Sequence, residues 1–431
     1  MSIEQITPTA VSAFPYKYFI VNTILLITLF ESYLKYRQYK RLSSSKPIPQ
    51  ELLDLGIDKS KIEQSKQYTK DKMKLTIINA IFDLIIELIF LIFNVTAMIW
   101  TYLQEKLNTQ NEYYLATVLI ILETFQSTIT SIPFSYYSSF VIEKKYNFNN
   151  MTISLFIKDI IKSTILNCII SSIIMCLVIL AISVGGEYFY IIVDILIVII
   201  CFVAMWIYPN FIAPLFNKFT ELEEGELKQG INKLAESINY PLKKIFVVDN
   251  SKRSSHSNAY LYGFGKNKRI VLYDTLLKQL EKDEIYATLA HELGHWKYSH
   301  TIYLMLISFA QYFVMFYFFK FFQHSEDIFL SFGYKDKSIF IGVNIYMQIL
   351  TPLNYILNIF LLRITRRFEY QADSFAKDKG YAECLGKGLK KLNEENLCNM
   401  DPDPLYSQFH YSHPTLLERL RALDLLTKKE Q

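Results

Sequence analysis

The chain of 431 residues lacks the cysteine pattern of a disulfide-stabilised protein. Its five cysteines form no CxxC pair, and the first three lie within apolar runs; they are Cys168, Cys176, Cys201, Cys384 and Cys398. Because regularly paired cysteines mark disulfide frameworks, we expect reduced thiols throughout.

The sequence also lacks a strong excess of charge and the features expected of a cleavable leader. Its 45 basic and 41 acidic residues leave a formal net charge of +4, which is too small to indicate nucleic-acid binding. Residues 1–15 contain no lysine or arginine, whereas a signal peptide begins with positive charge. We therefore expect the first apolar run to be retained as a membrane span.

Apolar residues, by contrast, are abundant. They make up 51% of the chain, aromatics make up 15%, and the mean hydropathy is +0.18, values typical of a polytopic membrane protein. A spanning helix needs about 20 apolar residues. Seven runs meet this length, at about 17–36, 75–103, 113–137, 162–184, 187–209, 302–323 and 338–363.

Positive charge between the first and second runs predicts the orientation. The connection after the second run has only Lys106, whereas the earlier one is basic throughout, with Lys35, Arg37, Lys40, Arg41, Lys46, Lys59, Lys61, Lys66, Lys70, Lys72 and Lys74. The positive-inside rule places the basic loop in the cytosol. With seven spans, 138–161, 210–301 and the tail after 364 are then cytosolic.

Three predicted spans carry polar residues at helical spacing. They are Asn79, Asp83, Glu87 and Asn94 on the second, Glu123, Gln126 and Thr130 on the third, and Asn344, Gln348, Thr351 and Asn358 on the seventh. Interhelical hydrogen bonding is one explanation. Three polar faces with ionisable members favour a shared hydrated interior. Pro352 predicts a kink in the seventh span.

The large connection between the fifth and sixth spans reads as a soluble α+β unit. Residues 210–242 predict an amphipathic helix, and β-rich runs follow at 244–249, 258–264 and 269–274. These predict a small sheet whose exposed edge can hold an extended peptide.

The stretch ATLAHELGHW at 287–296 lies on a helix that we expect to begin at Asp283 and to run on toward the sixth span. His291 and His295 are one turn apart on one face, where two imidazoles reach the same ion. Glu292 points about 100° away, which suits a general base for water activated by zinc. With only seven histidines in the chain, chance is a weak explanation.

A catalytic zinc needs a third protein ligand. Glu369 lies just past the seventh span, and Asp373 follows on the same helical face, where it can orient a ligand histidine. The alternative is a solvated amphipathic helix. Farther on, His410 or His413 can donate a hydrogen bond at the open metal position or be merely a loop residue, and spacing alone does not choose between these alternatives.

Four motifs resemble the type I CAAX prenyl proteases, integral-membrane zinc metalloproteases of which the bacterial protease HtpX is a shorter relative. The motifs are ATLAHELGHW, RFEYQAD at 367–373, SSHSNAYLYGF at 254–264 and HYSHPTLLER at 410–419. The resemblance implies that His291, His295 and Glu369 bind zinc and that Glu292 is the general base. It also implies that Asp373 orients one of the ligands.

The resemblance also implies that Asn258 and His413 hold the substrate backbone or stabilise the oxyanion, and it prefers His413 to His410. Arg419 matches a family arginine that we expect to be structural. The implied reaction is hydrolysis after a prenylated, for example farnesylated, cysteine, which releases the last three residues of a CAAX protein. Some family members make a second, upstream cut.

The fold implied is mainly α: a polytopic membrane protein with seven transmembrane helices around a hydrated chamber, and a small α+β gluzincin-like zinc metalloprotease domain on the cytosolic side. The expected parts are 1–209 with helices one to five, 210–301 with the zinc domain, 302–365 with helices six and seven, and 366–431 as a helical segment that completes the site.

The expected location is the endoplasmic reticulum membrane, with the inner nuclear membrane as a second site. The end, Lys428-Lys-Glu-Gln431, resembles a dilysine retrieval signal. Two other functions stay open: an HtpX-like protease that cuts misfolded membrane proteins, and an inactive binding module. The seven spans argue against the first architecture, and the intact Glu292 argues against the second.

Overall fold

The computed structural model describes residues 15–44, 47–263, 265 and 267–426. Lys46, Phe264 and the C-terminal dilysine pattern therefore lie outside the described residues. The chain is mainly helical, with one small sheet. The helices of its first half are α1 (Tyr16–Ser43), α2 (Gln50–Asp54), α3 (Lys59–Ile92), α4 (Val95–Leu107), α5 (Glu112–Tyr136), α6 (Ile153–Gly185), α7 (Phe189–Ile207) and α8 (Ala213–Phe216).

Helices and strands alternate before the metal motif, and helices alone follow it. They are β1 (Phe219–Glu221), α9 (Glu226–Ser237), β2 (Leu242–Val248), β3 (Ala259–Tyr262), β4 (Lys268–Tyr273), α10 (Asp274–Gln279), α11 (Lys282–Lys297), α12 (His300–Phe322), α13 (Glu326–Ser331), α14 (Ile339–Ile349), α15 (Thr351–Asp378), α16 (Ala382–Glu395), α17 (Pro404–His410) and α18 (Leu416–Ala422).

Five segments of the described chain are long and apolar enough to cross a membrane, and α14 with α15 forms a sixth that is bent by 59°. The bend falls just before Pro352 and confirms the predicted kink. Within the segment Ile153–Phe216, α6 and α7 pack against each other across a short turn. The predicted end of the second span at 103 is wrong, because Asn94 adopts a left-handed conformation (φ 53°) that ends α3.

The three polar faces meet in one cavity of about 640 Å³ among the membrane helices. Its polar lining comes from α3 and the break after it, from α5 and from α14: Asp83, Glu87, Asn94, Glu123, Gln126, Thr130, Asn344 and Gln348. The prediction that the three faces share an interior is confirmed for these residues, whereas Asn79, Thr351 and Asn358 do not line the cavity.

The sheet contains the three predicted strands and one that was not predicted. Its strand order is β1-β2-β4-β3, with β2 and β4 parallel and the outer strands antiparallel to their neighbours. The predicted single helix over 210–242 is wrong as a continuous element. Residues 210–216 are helical, because α7 continues through a π-helical turn (Tyr208–Ile212) into α8, and α9 is a separate helix. Between α8 and α9, Phe219–Glu221 pairs with β2 instead.

The hydrophobic core beside the sheet draws on three separate parts of the sequence. It joins Leu52, Ile57 and Ile62 to residues of 231–293 and of 375–423. Ion pairs also join these parts, such as Arg421 with Glu51 at 2.5 Å. The basic connection between α1 and α3 therefore lies on the same side of the helices as the sheet and the metal motif.

Candidate metal centre

The helix α11 holds the HExxH motif on a well-anchored framework. It begins after Glu281, which forms a reciprocal capping box with Glu284, so the N-cap lies two residues before the predicted Asp283. Its apolar side chains Ile285, Leu289 and Leu293 are buried in the core beside α15 and α16. This burial fixes the face from which the two histidines project.

Gly294 sets the distance between α11 and α15. A Cβ atom at this position would lie 3.0 Å from the Cα of Ala372 and 3.1 Å from the Cβ of Phe375. The backbones of the two helices therefore approach as closely as glycine allows. Since α15 carries Glu369 and Asp373, this close approach brings them to the histidines.

The three predicted ligands form one cluster. His291, His295 and Glu369 offer donor atoms that all lie within 4.8 Å of one another. Nε2 of His291 lies 3.2 Å from Nε2 of His295, and each nitrogen faces one oxygen of Glu369, at 3.5 and 3.3 Å respectively. Two imidazoles and a carboxylate suit three corners of the tetrahedral coordination of zinc, with the fourth position open.

The polar groups of the cluster fit a bound cation. Oε2 of Glu369 is buried and accepts no hydrogen bond from the described residues. A buried carboxylate oxygen without a donor is costly unless a positive ion satisfies it. Glu369 itself is only 3% exposed. The donor set and this bare oxygen together favour a metal over a solvated helix surface.

Glu292 lies between the two ligand histidines in sequence and is partly buried. Burial raises the pKa of its carboxyl above the ordinary value, the neighbouring His291 and His295 oppose this effect, and the charge of Glu369 adds to it. A glutamate whose proton affinity is raised is suited to take a proton near neutral pH.

Asp373 and Arg419 form a buried pair behind one ligand. Nδ1 of His291 donates to Oδ1 of Asp373 at 2.8 Å, which leaves Nε2 directed at the cluster. Arg419 donates to both oxygens of the same carboxylate, at 2.8 and 2.6 Å. The arginine, expected to be structural, therefore holds the carboxylate that orients a ligand.

The structure separates the two C-terminal histidines. Nε2 of His413 lies 3.4 Å from Oε1 of Glu369, and its side chain is 63% exposed. His410 instead faces Glu31 of α1 at 3.3 Å and packs on the ring of Tyr406. Only His413 lies beside the cluster, which agrees with the preference drawn from the resemblance.

Asn258 immediately precedes β3, the outer strand of the sheet. Its side chain is exposed and accepts a hydrogen bond from the N–H of Ala259, and its carbonyl accepts one from Tyr273. Among the described residues, β3 pairs with β4 alone, and it packs near α11. Its other edge is therefore available to an extended peptide next to the motif.

His300, which belongs to none of the sequence motifs, is 3% exposed and contacts His295 of the cluster. Its Nδ1 lies 2.9 Å from Nδ1 of His295. Sequence spacing hid this contact, because residues five apart on a continuous helix do not face each other. Its one visible signal was a third histidine soon after the motif.

Two family models together match nearly the whole chain. One, described as the CAAX prenyl protease N-terminal region with five membrane helices, matches residues 38–218. The other, described as peptidase family M48, matches residues 221–427 and includes every residue of the cluster.

Similar proteins match along their full length. The CAAX prenyl protease 1 homolog of Oryza sativa subsp. japonica is 43% identical, over 97% of this chain and all of the relative. CAAX prenyl protease 1 of Saccharomyces cerevisiae is 38% identical, over 97% of each. The crystal structure of S. mikatae Ste24p matches with a TM-score of 0.90 and 38% identity, over 96% of this chain and 100% of that one.

Proposed function

The chain belongs to peptidase family M48, in the branch of the CAAX prenyl proteases, and on this premise we propose that it is a zinc-dependent CAAX endopeptidase. The reaction is hydrolysis of the peptide bond after a prenylated cysteine, with release of the C-terminal tripeptide. The observation that carries the proposal is the cluster of His291, His295 and Glu369 beside Glu292.

His291, His295 and Glu369 would hold the zinc ion. When bound, zinc polarises the scissile carbonyl and lowers the pKa of water at the site. Glu292 takes a proton from the attacking water and gives it to the departing amine. His413, exposed beside Glu369, donates a hydrogen bond to the oxygen on which negative charge develops. Asp373 keeps the ring of His291 in the binding orientation.

The free edge of β3 would bind the substrate backbone. An extended peptide paired with Ala259–Tyr262 gains hydrogen bonds whatever its side chains, and Asn258 adds an exposed amide at the start of the strand. Backbone pairing holds the scissile bond beside α11 but gives little sequence selectivity. Selectivity for prenylated proteins therefore comes from the lipid, which the surrounding membrane helices receive.

The arrangement in the membrane is part of the proposal. Counting α6 and α7 as two crossings and the bent pair α14–α15 as one gives seven crossings. The connection between α1 and α3 belongs to the basic stretch and contacts the segments that carry the metal cluster, through Leu52, Ile57 and the pair of Glu51 with Arg421, so the positive-inside rule predicts a cytosolic metal centre. The endoplasmic reticulum is the proposed membrane. The proposal also divides the chain into four parts, at 1–209, 210–301, 302–365 and 366–431.

Orientation is tested by labelling. Glu224 lies before α9 on the metal domain, and its side chain is 83% exposed. A Glu224→Cys variant in sealed microsomes should react with a membrane-impermeant maleimide before the vesicles are opened, because the cytosolic face is outermost. Labelling only after permeabilisation would contradict the proposed orientation. The unsubstituted chain gives the background from native cysteines.

Cleavage is tested with matched peptides. The purified, zinc-loaded full-length chain is incubated with a farnesylated CAAX peptide, a geranylgeranylated one and the same peptide without lipid, and tripeptide release is measured. We expect release only from the lipidated peptides. A longer prenylated precursor tests for the second, upstream cut.

Two other outcomes identify the competing functions. Equal cleavage of the lipidated and bare peptides would favour a quality-control protease of the HtpX type. Backbone pairing at the edge of β3, which does not depend on the side chains of the peptide, would suit that function as well. Failure to cleave any peptide, with zinc bound, would favour an inactive binding module. Glu292→Gln serves as the background in every assay.

A further inference from the structure

The two helices that meet next to the metal centre are separated by a strained residue. α11 ends at Lys297 and α12 begins at His300, and Ser299 between them has a left-handed conformation with φ 56° and ψ 31°. Such a conformation in a residue other than glycine costs about 1–2 kcal/mol. Strain of this kind often occurs at functional sites, where surrounding contacts maintain it.

The break moves His300 to a place that a continuous helix would not allow. At about 100° per residue, positions 295 and 300 would point roughly 140° apart on one helix. With Ser299 left-handed, the two imidazole rings instead lie 5.0 Å apart, and their Nδ1 atoms are 2.9 Å apart. The consequence of the strained residue is therefore a contact with a metal ligand.

Two residues of α15, the helix that carries Glu369, contact the ring of His300. Its ring stacks on Phe368 with centroids 4.0 Å apart and planes inclined by 6°. Its Nε2 lies 2.9 Å from Oε1 of Gln371. His300 is 3% exposed, so its polar atoms are largely shielded from solvent.

With a metal ion in the cluster, these contacts fit one arrangement of protons. When Nε2 of His295 binds the ion of the proposed function, the neutral ring carries its proton on Nδ1. That proton has Nδ1 of His300 as its acceptor, which requires His300 to be neutral with its own proton on Nε2. The Nε2–H group then donates to Gln371, whose amide oxygen only accepts.

We propose that His300 is a positioning residue for zinc binding: through a chain of hydrogen bonds from His295 to Gln371, it orients the ring of His295 toward the metal. The inference rests on the metal site of the proposed function. It gives the two ligand histidines different partners, since a carboxylate orients His291 and a neutral imidazole orients His295. The second ligand is thus oriented without adding a negative charge to the site.

The test compares two substitutions at this position. His300→Phe keeps a ring on Phe368 but removes the acceptor, and His300→Asn keeps an acceptor near the place of Nδ1. Each metal-free full-length protein is titrated with Zn²⁺ in competition with a chromophoric chelator. We expect the Phe variant to bind zinc about 10- to 100-fold more weakly, as the loss of an orienting hydrogen bond typically does, with the Asn variant recovering most of this loss.

A second readout separates positioning from packing. The visible absorption spectrum of the Co²⁺-loaded protein reports ligand geometry, and we expect it to change in His300→Phe and to resemble the unsubstituted protein in His300→Asn. Equal zinc affinity in His300→Phe and the unsubstituted chain would overturn the proposal. Equal losses in both variants would overturn it as well, because packing alone would then explain them.

Substitutions at other positions test the hydrogen-bond chain even if the His300 variants misfold. Gln371→Leu removes the acceptor of the Nε2–H group and leaves every proposed ligand in place, so we expect a smaller loss of zinc affinity in the same direction. An unchanged affinity there would contradict the hydrogen-bond chain. Phe368→Leu, which removes only the stacking partner, is the matched control. All affinities are measured without a prenylated peptide, so failure of the cleavage assay leaves this result independent.

Discussion

The metal centre and the membrane cavity both hold carboxylates and amides inside the molecule, but they differ in how those groups are paired. At the candidate metal centre the Nδ1 atoms of His291 and His295 have partners at 2.8 and 2.9 Å. In the cavity, Asp83 is bonded to Asn79 on its own helix, and Glu87 and Glu123 line about 640 Å³ of space. The first region fixes atoms in place, and the second maintains a roomy polar interior.

This difference predicts how each region tolerates substitution. Where a group has a fixed partner, its removal leaves the partner unsatisfied and displaces atoms near the metal. Where a group lines open space, a neutral replacement of the same shape changes little. The following predictions test this contrast, beginning with the largest expected effect.

Glu292→Gln should lower kcat for a farnesylated CAAX peptide about 10²- to 10⁴-fold, because the amide cannot accept the proton from water. Zinc content should stay unchanged, since Glu292 is not among the three clustered ligands. The measurement is steady-state kinetics paired with atomic absorption on the same sample. Activity within tenfold of the unsubstituted chain would remove Glu292 from its proposed role.

Gly294→Ala should lower the free energy of unfolding by about 1–3 kcal/mol, a typical cost of overpacking. The added methyl group meets the backbone of Ala372 at 3.0 Å and must push α15 away. Thermal unfolding in detergent should show a lower Tm, and the zinc affinity should fall because Glu369 moves with α15.

Gly388→Ala is the matched control for this prediction. A Cβ at Gly388 lies 3.5 Å from the Cβ of Glu284, an ordinary contact, so this variant should keep both Tm and zinc affinity. Equal behaviour of the two alanine variants would show that the close approach at Gly294 has no special role.

Glu123→Gln should have the smallest effect. The transition-state free energy obtained from kcat/KM should change by about 0.5 kcal/mol or less, as for groups without a fixed partner. The amide keeps the shape and polarity of the cavity lining. Kinetics with the farnesylated peptide provide the measurement. A tenfold loss would break the contrast, because it would give a cavity carboxylate a role as specific as those at the metal.

Much of this architecture was predictable from local patterns. The HExxH spacing placed His291 and His295 on one face, and Glu369 stood out as a carboxylate at the end of a membrane helix on the same side. Polar residues at helical steps predicted the shared cavity. These features depend on helical periodicity, which sequence displays directly.

The features that escaped prediction depend on breaks in that periodicity. Asn94 and Ser299 both end helices in a left-handed conformation, which nothing in the adjacent apolar pattern signals. The break at Asn94 shortened a predicted span, and the break at Ser299 brought His300 to His295. The short strand β1 likewise forms only because β2, more than twenty residues later, offers it a partner.

The order of the metal-site residues along the chain has a consequence for biosynthesis. A ribosome that has made the HExxH helix must still produce the membrane helices α12, α14 and α15 before Glu369 follows, and Arg419 comes 128 residues after His291. While those helices insert into the membrane, the nascent chain therefore lacks Glu369 and Arg419 of the proposed zinc site. On the proposed function, the complete ligand set exists only after α15 has been made, so the order of these residues along the chain delays the proposed activity until the preceding membrane helices have been synthesised.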